Sequence, residues 1–243
     1  DNPLNLGGIG VTGTSAANAL AAEADVVLAI GTRLQDFTTG SRALFANSEC
    51  QLINLNISPY DAAKHAGLGI VADAWVGIEA LDHTIAHYQA PYQWRERAST
   101  EIHTWNQIAD RALAADNALR PSDAQVIGAV ARAAEDKGTV VCAAGGLPGE
   151  LHKLWRASNT NAYHLEYGYS CMGYEIAGGL GVKMALPDRE VFVMVGDGSY
   201  LMMNSEIVTS VALGHKLIVT VLDKGGFGCT QAFTDWHRRC AVQ

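Results

Sequence analysis

The stretch Val191–Cys229, VFVMVGDGSYLMMNSEIVTSVALGHKLIVTVLDKGGFGC, decides how the rest of the chain is read. An apolar run ends in Gly196-Asp197-Gly198, an amphipathic helical pattern follows, and a second buried apolar run ends in a Gly-rich loop. That order predicts a strand, a helix and a parallel strand, with Asp197 at the carboxyl end of the first strand. Ligands of open parallel sheets bind outside those strand ends. A Gly-Asp-Gly placed there offers backbone N–H groups to a phosphate and one hard oxygen to a cation such as Mg²⁺. Gly-Asp-Gly is also an ordinary turn, so the alternative is a solvated carboxylate. Position favours the site: a strand before it, a helix after it, and a second Gly-rich strand end downstream. Gly196 and Gly198 share that reading, because glycine permits close backbone approach to an anion. Ser199 either donates to a phosphate oxygen or caps the helix.

Working outward, the same alternation recurs. GTVVCAAGG (138–146) is a strand ending in a glycine pair, followed by the Leu-Pro-Gly of a βα turn. NAYHLEYG leads through Gly168-Tyr-Ser-Cys-Met-Gly173 into a helix with small residues on one face. Upstream, AANALAAEA (16–24) predicts a helix, and DVVLAIG (25–31) a continuous apolar strand buried on both faces, as in parallel sheets. CQLINLNI (50–57) and LGIVAD (68–73) are further strands, the latter followed by a helix over VGIEALDHTIAHY (76–88). A more polar stretch framed by Pro91 and Pro121 predicts an exposed connecting helix. The expected organisation is therefore α/β: two doubly wound parallel-sheet domains, at 1–88 and 122–243, joined by a linker at 89–121. Gly7-Gly-Ile-Gly10 and Gly31-Thr-Arg33 invite comparison with dinucleotide contacts, but the GxGxxG fingerprint after a first strand is absent, and a structural role is the expectation.

Composition narrows the classes of function. Across 243 residues, 49% are hydrophobic and 17% charged, the balance of a well-buried globular protein. A net charge of −8 argues against a nucleic-acid partner, there being no basic stripe to meet phosphate backbones. Nor does any apolar run approach the roughly 20 residues needed to span a bilayer, so no membrane partner is expected. The five cysteines, Cys50, Cys142, Cys171, Cys229 and Cys240, are odd in number and lack CxxC spacing. They read as buried free thiols of a reducing cytoplasm, with neither a disulfide framework nor a zinc site.

The segment from Gly196 to Leu222 resembles the diphosphate and metal motif of the thiamine-diphosphate enzymes, which opens with GDG and closes with an Asn-rich turn after the next strand. The resemblance implies thiamine diphosphate and Mg²⁺ as cofactors, with Asp197 and the Gly226 backbone carbonyl as metal ligands. It also implies that Gly145 and Gly146 lie against the diphosphate and that Gly168–Gly173 holds the aminopyrimidine. There the Ser170 carbonyl accepts from the 4′-amino group, Met172 wedges between the two rings, and Gly173 ends the turn. The alternative for Met172 is an ordinary core side chain. His152, His164 and Glu166 are weaker acid–base candidates. One position departs from the family pattern, which puts an Asn ligand 27 residues after the GDG aspartate. Lys224 stands there. An ammonium has no lone pair to offer a metal, so Lys224 either pairs with the diphosphate as a point charge or marks a decayed site. The family's middle domain, which residues 1–88 resemble, serves mainly as a spacer and sometimes holds an adenine nucleotide.

Longer phrases, such as NPLNLGGIGVTGTSAANALAAEADVVLAIG and HLEYGYSCMGYEIAGGLGVKMALPDREVFVMVGDGSYLMMNSEIVTS, are similar to one branch of that family. That branch hydrolyses a C–C bond of a polyhydroxylated cyclic 1,2-diketone to 5-deoxy-glucuronate in inositol catabolism. Acetolactate synthase shares the layout but fits these phrases less well. The resemblance implies a homo-oligomeric parent whose activating glutamate lies in a domain preceding Asp1. It also implies that the diphosphate domain is cut short, with residues beyond Gly228 departing from the family. The chain is thus expected to be a fragment, inactive in isolation. The alternatives are a carboligase or decarboxylase fragment, distinguishable by pyruvate turnover, and a non-catalytic nucleotide-binding α/β module.

Overall fold

A computed structural model describes residues 4–116 and 119–226. Two compact units divide the chain, Asp1–Ala109 and Asp110–Gln243, and each is built on its own parallel sheet. Gly228, Cys229, Cys240 and the tail expected to depart from the family lie outside the described residues.

The first unit opens with α1 (Ser15–Glu23), whose N-terminus is capped by the Thr14 side chain accepting from Ala17 N–H at 3.0 Å. Then come β1 (Val26–Ile30), α2 (Asp36–Thr39), β2 (Gln51–Asn56), α3 (Pro59–Ala62) and β3 (Leu68–Val71). The strands lie in the order β1-β2-β3. The expectation that β1 is buried on both faces does not hold: Val26 is 54% and Leu28 41% exposed, whereas Ala29 is buried. An apolar run does not say which of its faces will be covered, and β1 is an edge strand whose outward residues lack cover among the described residues. The helix expected over 76–88 is α4 (Ala74–Thr84). It starts earlier because Asp73 caps it, accepting from Trp75 and Val76 N–H, and it stops at Ile85. Next is the expected connecting helix, α5 (Tyr92–Leu113).

Gly7 to Thr14 form a tightly packed turn. Gly10 sits at φ +97°, and a Cβ there would lie 2.1 Å from the Phe37 carbonyl oxygen. A Cβ on Gly13 would lie 2.5 Å from the Gly8 oxygen. Asn18 exchanges two hydrogen bonds with the Gly10 backbone, at 2.8 and 2.9 Å. These glycines serve backbone packing, as a structural reading requires.

In the second unit, α6 (Asp123–Ala134) carries the complete capping box expected at its start, with Ser122 and Gln125 exchanging hydrogen bonds. The elements that follow are β4 (Gly138–Cys142), α7 (Gly146–Leu154), β5 (Tyr163–Leu165), α8 (Tyr174–Ala185) and β6 (Glu190–Gly196). They end with α9 (Asp197–Met202), α10 (Glu206–Ala212) and β7 (Ile218–Leu222). All strand pairs are parallel, in the order β5-β4-β6-β7. Every residue of β4 is buried. Val141, Val191 and Val193 pack with Ile176 of α8, and Gly179 lies so close that a Cβ would meet Val193 at 2.4 Å. Where one amphipathic helix was expected between β6 and β7, there are two short ones, because Met203 (φ −146°, ψ 59°) breaks the helical path before Asn204-Ser205 restart it.

Not every cysteine is buried as expected. Cys142 is, Cys50 is half-buried and Cys171 is exposed; all three are free. Burial pushes the Cys142 thiol up to about 12. No described helix is long and apolar enough to cross a membrane.

Candidate functional site

Strand order, more than any single residue, locates the site. From β4 the chain crosses to β5 on one side, then to β6 on the other, so the topology reverses between β4 and β6. The crevice outside the carboxyl ends of two such strands is where open α/β sheets bind ligands. Two backbone features meet there. β4 runs through Ala143 and Ala144 into Gly145, which at φ +101° caps the nine-residue helix α7 with no side chain in the way. β6 runs into Gly196 and the start of α9 at Asp197. A Cβ on Gly145, Gly196, Gly225 or Gly226 would meet nothing within 4 Å. Open glycines at strand ends beside the first turns of helices fit an anion that approaches backbone N–H groups closely.

Asp197 is the carboxylate of this crevice. Its Oδ2 accepts from Gly226 N–H at 2.7 Å and its Oδ1 from Lys224 N–H at 3.4 Å, so it holds the loop after β7. Burial pushes the carboxyl up, but the N–H groups of Gly226, Lys224, Gly198 and Asp197 itself outweigh burial and hold it below the usual carboxylate range. Lys224 turns away from this carboxylate. Its ammonium forms an ion pair with Asp123 in the first turn of α6. Among the described residues no cluster of three or more His, Cys, Asp or Glu side chains could hold a metal. A divalent cation here fits one carboxylate, backbone oxygen, water and a ligand's own phosphates, a set that Mg²⁺ accepts because it keeps several waters.

The turn before α8 is shaped by two carboxylates. Glu166, considered above as an acid–base group, accepts from Tyr169 N–H at 3.0 Å and from Cys171 N–H at 2.7 Å. Those bonds from Cys171 and Tyr169 hold its carboxyl low. They secure a turn in which Ser170 adopts φ +56° and Met172 projects, 37% exposed, in place of the core packing that was its alternative. On the other side, Gly173 N–H donates to Glu175 Oε2 at 3.0 Å and to Ser199 Oγ at 2.7 Å. Ser199 Oγ in turn lies 2.8 Å from both Glu175 oxygens. A hydroxyl has one proton, and this one goes to Glu175; Ser199 neither caps α9 nor has a side-chain proton for a phosphate. His164 shares a hydrogen bond of 2.7 Å with the Tyr174 hydroxyl and stacks on its ring. His152 is exposed on α7.

Sequence reading passed over Glu175. A lone carboxylate two residues after a glycine, opening an otherwise apolar small-residue helix, was the available signal. Nothing local pointed to Asp123 as the partner of Lys224, since 101 residues separate them.

Two α/β units with open glycines and a carboxylate at a switch point describe a phosphate-bearing cofactor domain. The chain belongs to the thiamine pyrophosphate enzymes: the C-terminal TPP-binding domain of that family matches residues 143–239, and its central domain matches residues 1–81. Among curated proteins it is similar to 3D-(3,5/4)-trihydroxycyclohexane-1,2-dione hydrolase of Geobacillus thermodenitrificans, at 42% identity over 94% of this chain. The proteins of that name from Bacillus cereus (its second such hydrolase) and Clostridium tetani are 43% and 37% identical, over 94% and 93% of the chain. The chain spans 39% of the length of each of these relatives.

Proposed function

We propose that this chain is the central and cofactor-binding part of a thiamine-diphosphate-dependent hydrolase that opens the ring of a polyhydroxylated cyclic 1,2-diketone. The observation that carries the cofactor reading is the convergence of Asp197 and the open backbone of Gly145, Gly196 and Gly226 at the carboxyl edge of the β5-β4-β6-β7 sheet. The substrate class is carried by the name shared by relatives that match both units. In this reading Gly145 and Gly146 receive the diphosphate from α7, and Gly196, Gly198 and the Ser199 backbone receive it from α9. Asp197 and the Gly226 carbonyl hold Mg²⁺. The Ser170 carbonyl and Met172 take the aminopyrimidine and the space between the rings, and Gly173 closes that turn.

When bound, the cofactor supplies a carbanion that attacks a substrate carbonyl and accepts the electrons of the C–C bond, while water completes the product. The residues of this chain orient that group and keep its charged end paired. Lys224, held by Asp123, keeps the β7 loop in place without ligating metal; where the family places Asn, the ion has one side-chain oxygen fewer. The parent protein is a homo-oligomer in this reading, and the free thiols Cys50, Cys142 and Cys171 support a reducing, cytoplasmic setting.

Calorimetric titration of this chain with thiamine diphosphate and Mg²⁺, beside Lys224→Asn, tests the cofactor assignment. Mg²⁺-dependent binding that tightens about tenfold in Lys224→Asn is expected, the scale on which ligand-shell changes act. No binding by either protein overturns the assignment. The substrate class is tested by the full-length parent, which should hydrolyse trihydroxycyclohexane-1,2-dione; turnover of pyruvate in its place refutes it.

A further inference from the structure

Glu175 is 1% exposed, and its carboxylate is committed to two partners, the Gly173 N–H and the Ser199 hydroxyl. Those partners belong to different halves of the crevice. Gly173 closes the turn that presents Met172. Ser199 is the third residue of α9, directly after Asp197 and Gly198. No other side chain among the described residues is hydrogen-bonded to both segments. The link is short and closed: Gly173 N–H reaches both Oε2 and Ser199 Oγ, and Ser199 Oγ returns to Glu175. Gly173 is left-handed at φ +92°, and a Cβ there would crowd Met203 at 2.8 Å, so the turn and the end of α9 are also in van der Waals register. A buried carboxylate in the first turn of α8 is favoured by the helix dipole, which helps it hold the Gly173 N–H.

We propose that Glu175, acting through Ser199, is the positioning residue that sets the spacing between the Met172 turn and the Gly196–Asp197 strand end, and so selects a ligand long enough to engage both. This rests on the thiamine-diphosphate reading. A diphosphate needs only the α7 and α9 ends of the crevice; a diphosphate joined to a pair of aromatic rings must also meet the Met172 turn. The link therefore acts on the gain in affinity that the rings add, and leaves affinity for the diphosphate itself nearly intact. A purely structural role lowers both affinities together.

The test compares thiamine diphosphate with inorganic pyrophosphate, each with Mg²⁺, by calorimetry on this chain and on Glu175→Ala, Ser199→Ala and Glu175→Gln, with melting curves to follow the fold. The unaltered chain should bind thiamine diphosphate at least about tenfold tighter than pyrophosphate, a difference worth about 1.4 kcal/mol. Glu175→Ala and Ser199→Ala should each remove about tenfold of thiamine diphosphate affinity while changing pyrophosphate affinity by less than about threefold, within the range of coupling between contacting residues. Glu175→Gln keeps an amide oxygen for both donors and should recover most of the loss. Should Glu175→Ala fail to fold, Ser199→Ala, which only removes a hydroxyl, carries the comparison. Equal loss of both affinities in Ser199→Ala, or no loss of thiamine diphosphate affinity, overturns the positioning role. An unaltered chain with no preference for thiamine diphosphate over pyrophosphate overturns the thiamine reading itself and this inference with it.

Discussion

The two parallel sheets of this chain end in glycine-rich loops that look alike in sequence and do opposite things. In the first unit, Gly10 and Gly13 are glycine because backbone fills the space where a Cβ would go, 2.1 Å from Phe37 O and 2.5 Å from Gly8 O. In the second, Gly145, Gly196, Gly225 and Gly226 are glycine with nothing within 4 Å. Strand order accompanies the difference. The first sheet runs β1-β2-β3 in sequence order, with no reversal, while the second reverses between β4 and β6. A glycine packed against its own fold serves stability; a glycine facing open space at a switch point leaves room for a ligand.

The largest effect expected from this contrast is on Gly10→Ala. Positive φ and a 2.1 Å clash with backbone cannot be relieved by a side-chain shift, so melting should show a loss of about 3 kcal/mol or more. A loss under about 1 kcal/mol would break the contrast at its first term. Gly196→Ala should do the reverse. Its backbone (φ −76°, ψ 155°) suits any residue, so stability should change by no more than about 0.5 kcal/mol. Thiamine diphosphate affinity should nevertheless fall about tenfold, as the new methyl occupies the space left for the ligand. Unchanged affinity in calorimetry would mean that the open space is not used. Thr14→Ala sharpens the packing side: loss of the α1 cap should cost about 1 kcal/mol by denaturant titration, with no effect on cofactor affinity.

The smallest effect concerns acid. Glu166 has its carboxyl held low by the N–H groups of Cys171 and Tyr169, so its contribution to the order of the Gly168–Gly173 turn is fully present above the ordinary Glu range and is lost as pH falls through the lowered folded value. Amide exchange at Tyr169 and Cys171 should therefore lose protection only in that acid range, and Glu166→Gln should remove the pH dependence. Protection that falls instead around neutral pH would assign the turn's order to another group, such as His164.

Much of this could be read along the chain, because the cues are local. Apolar runs bounded by glycine gave the strands, Ser122 and Gln125 marked the start of α6, and the GDG lay at a strand end because a buried run preceded it. The two-helix break at Met203 was not legible, since its pattern is amphipathic throughout and the interruption lies in a backbone angle. Burial of β1 was misread for a related reason: apolar character says what a strand can bury, whereas sheet position and covering elements decide what it does bury.

The sequence by itself determined the order of elements, the two-unit α/β class and the glycines that avoid steric conflict, because each follows from short-range sterics and hydrophobic periodicity. Only the tertiary structure decided which glycines face open space, that Lys224 turns to Asp123 and away from Asp197, that Glu166 holds a turn, and that Glu175 binds Gly173 to Ser199. Those outcomes depend on hydrogen bonds and ion pairs between groups brought together by strand order. Strand order is a long-range choice that local propensity does not encode.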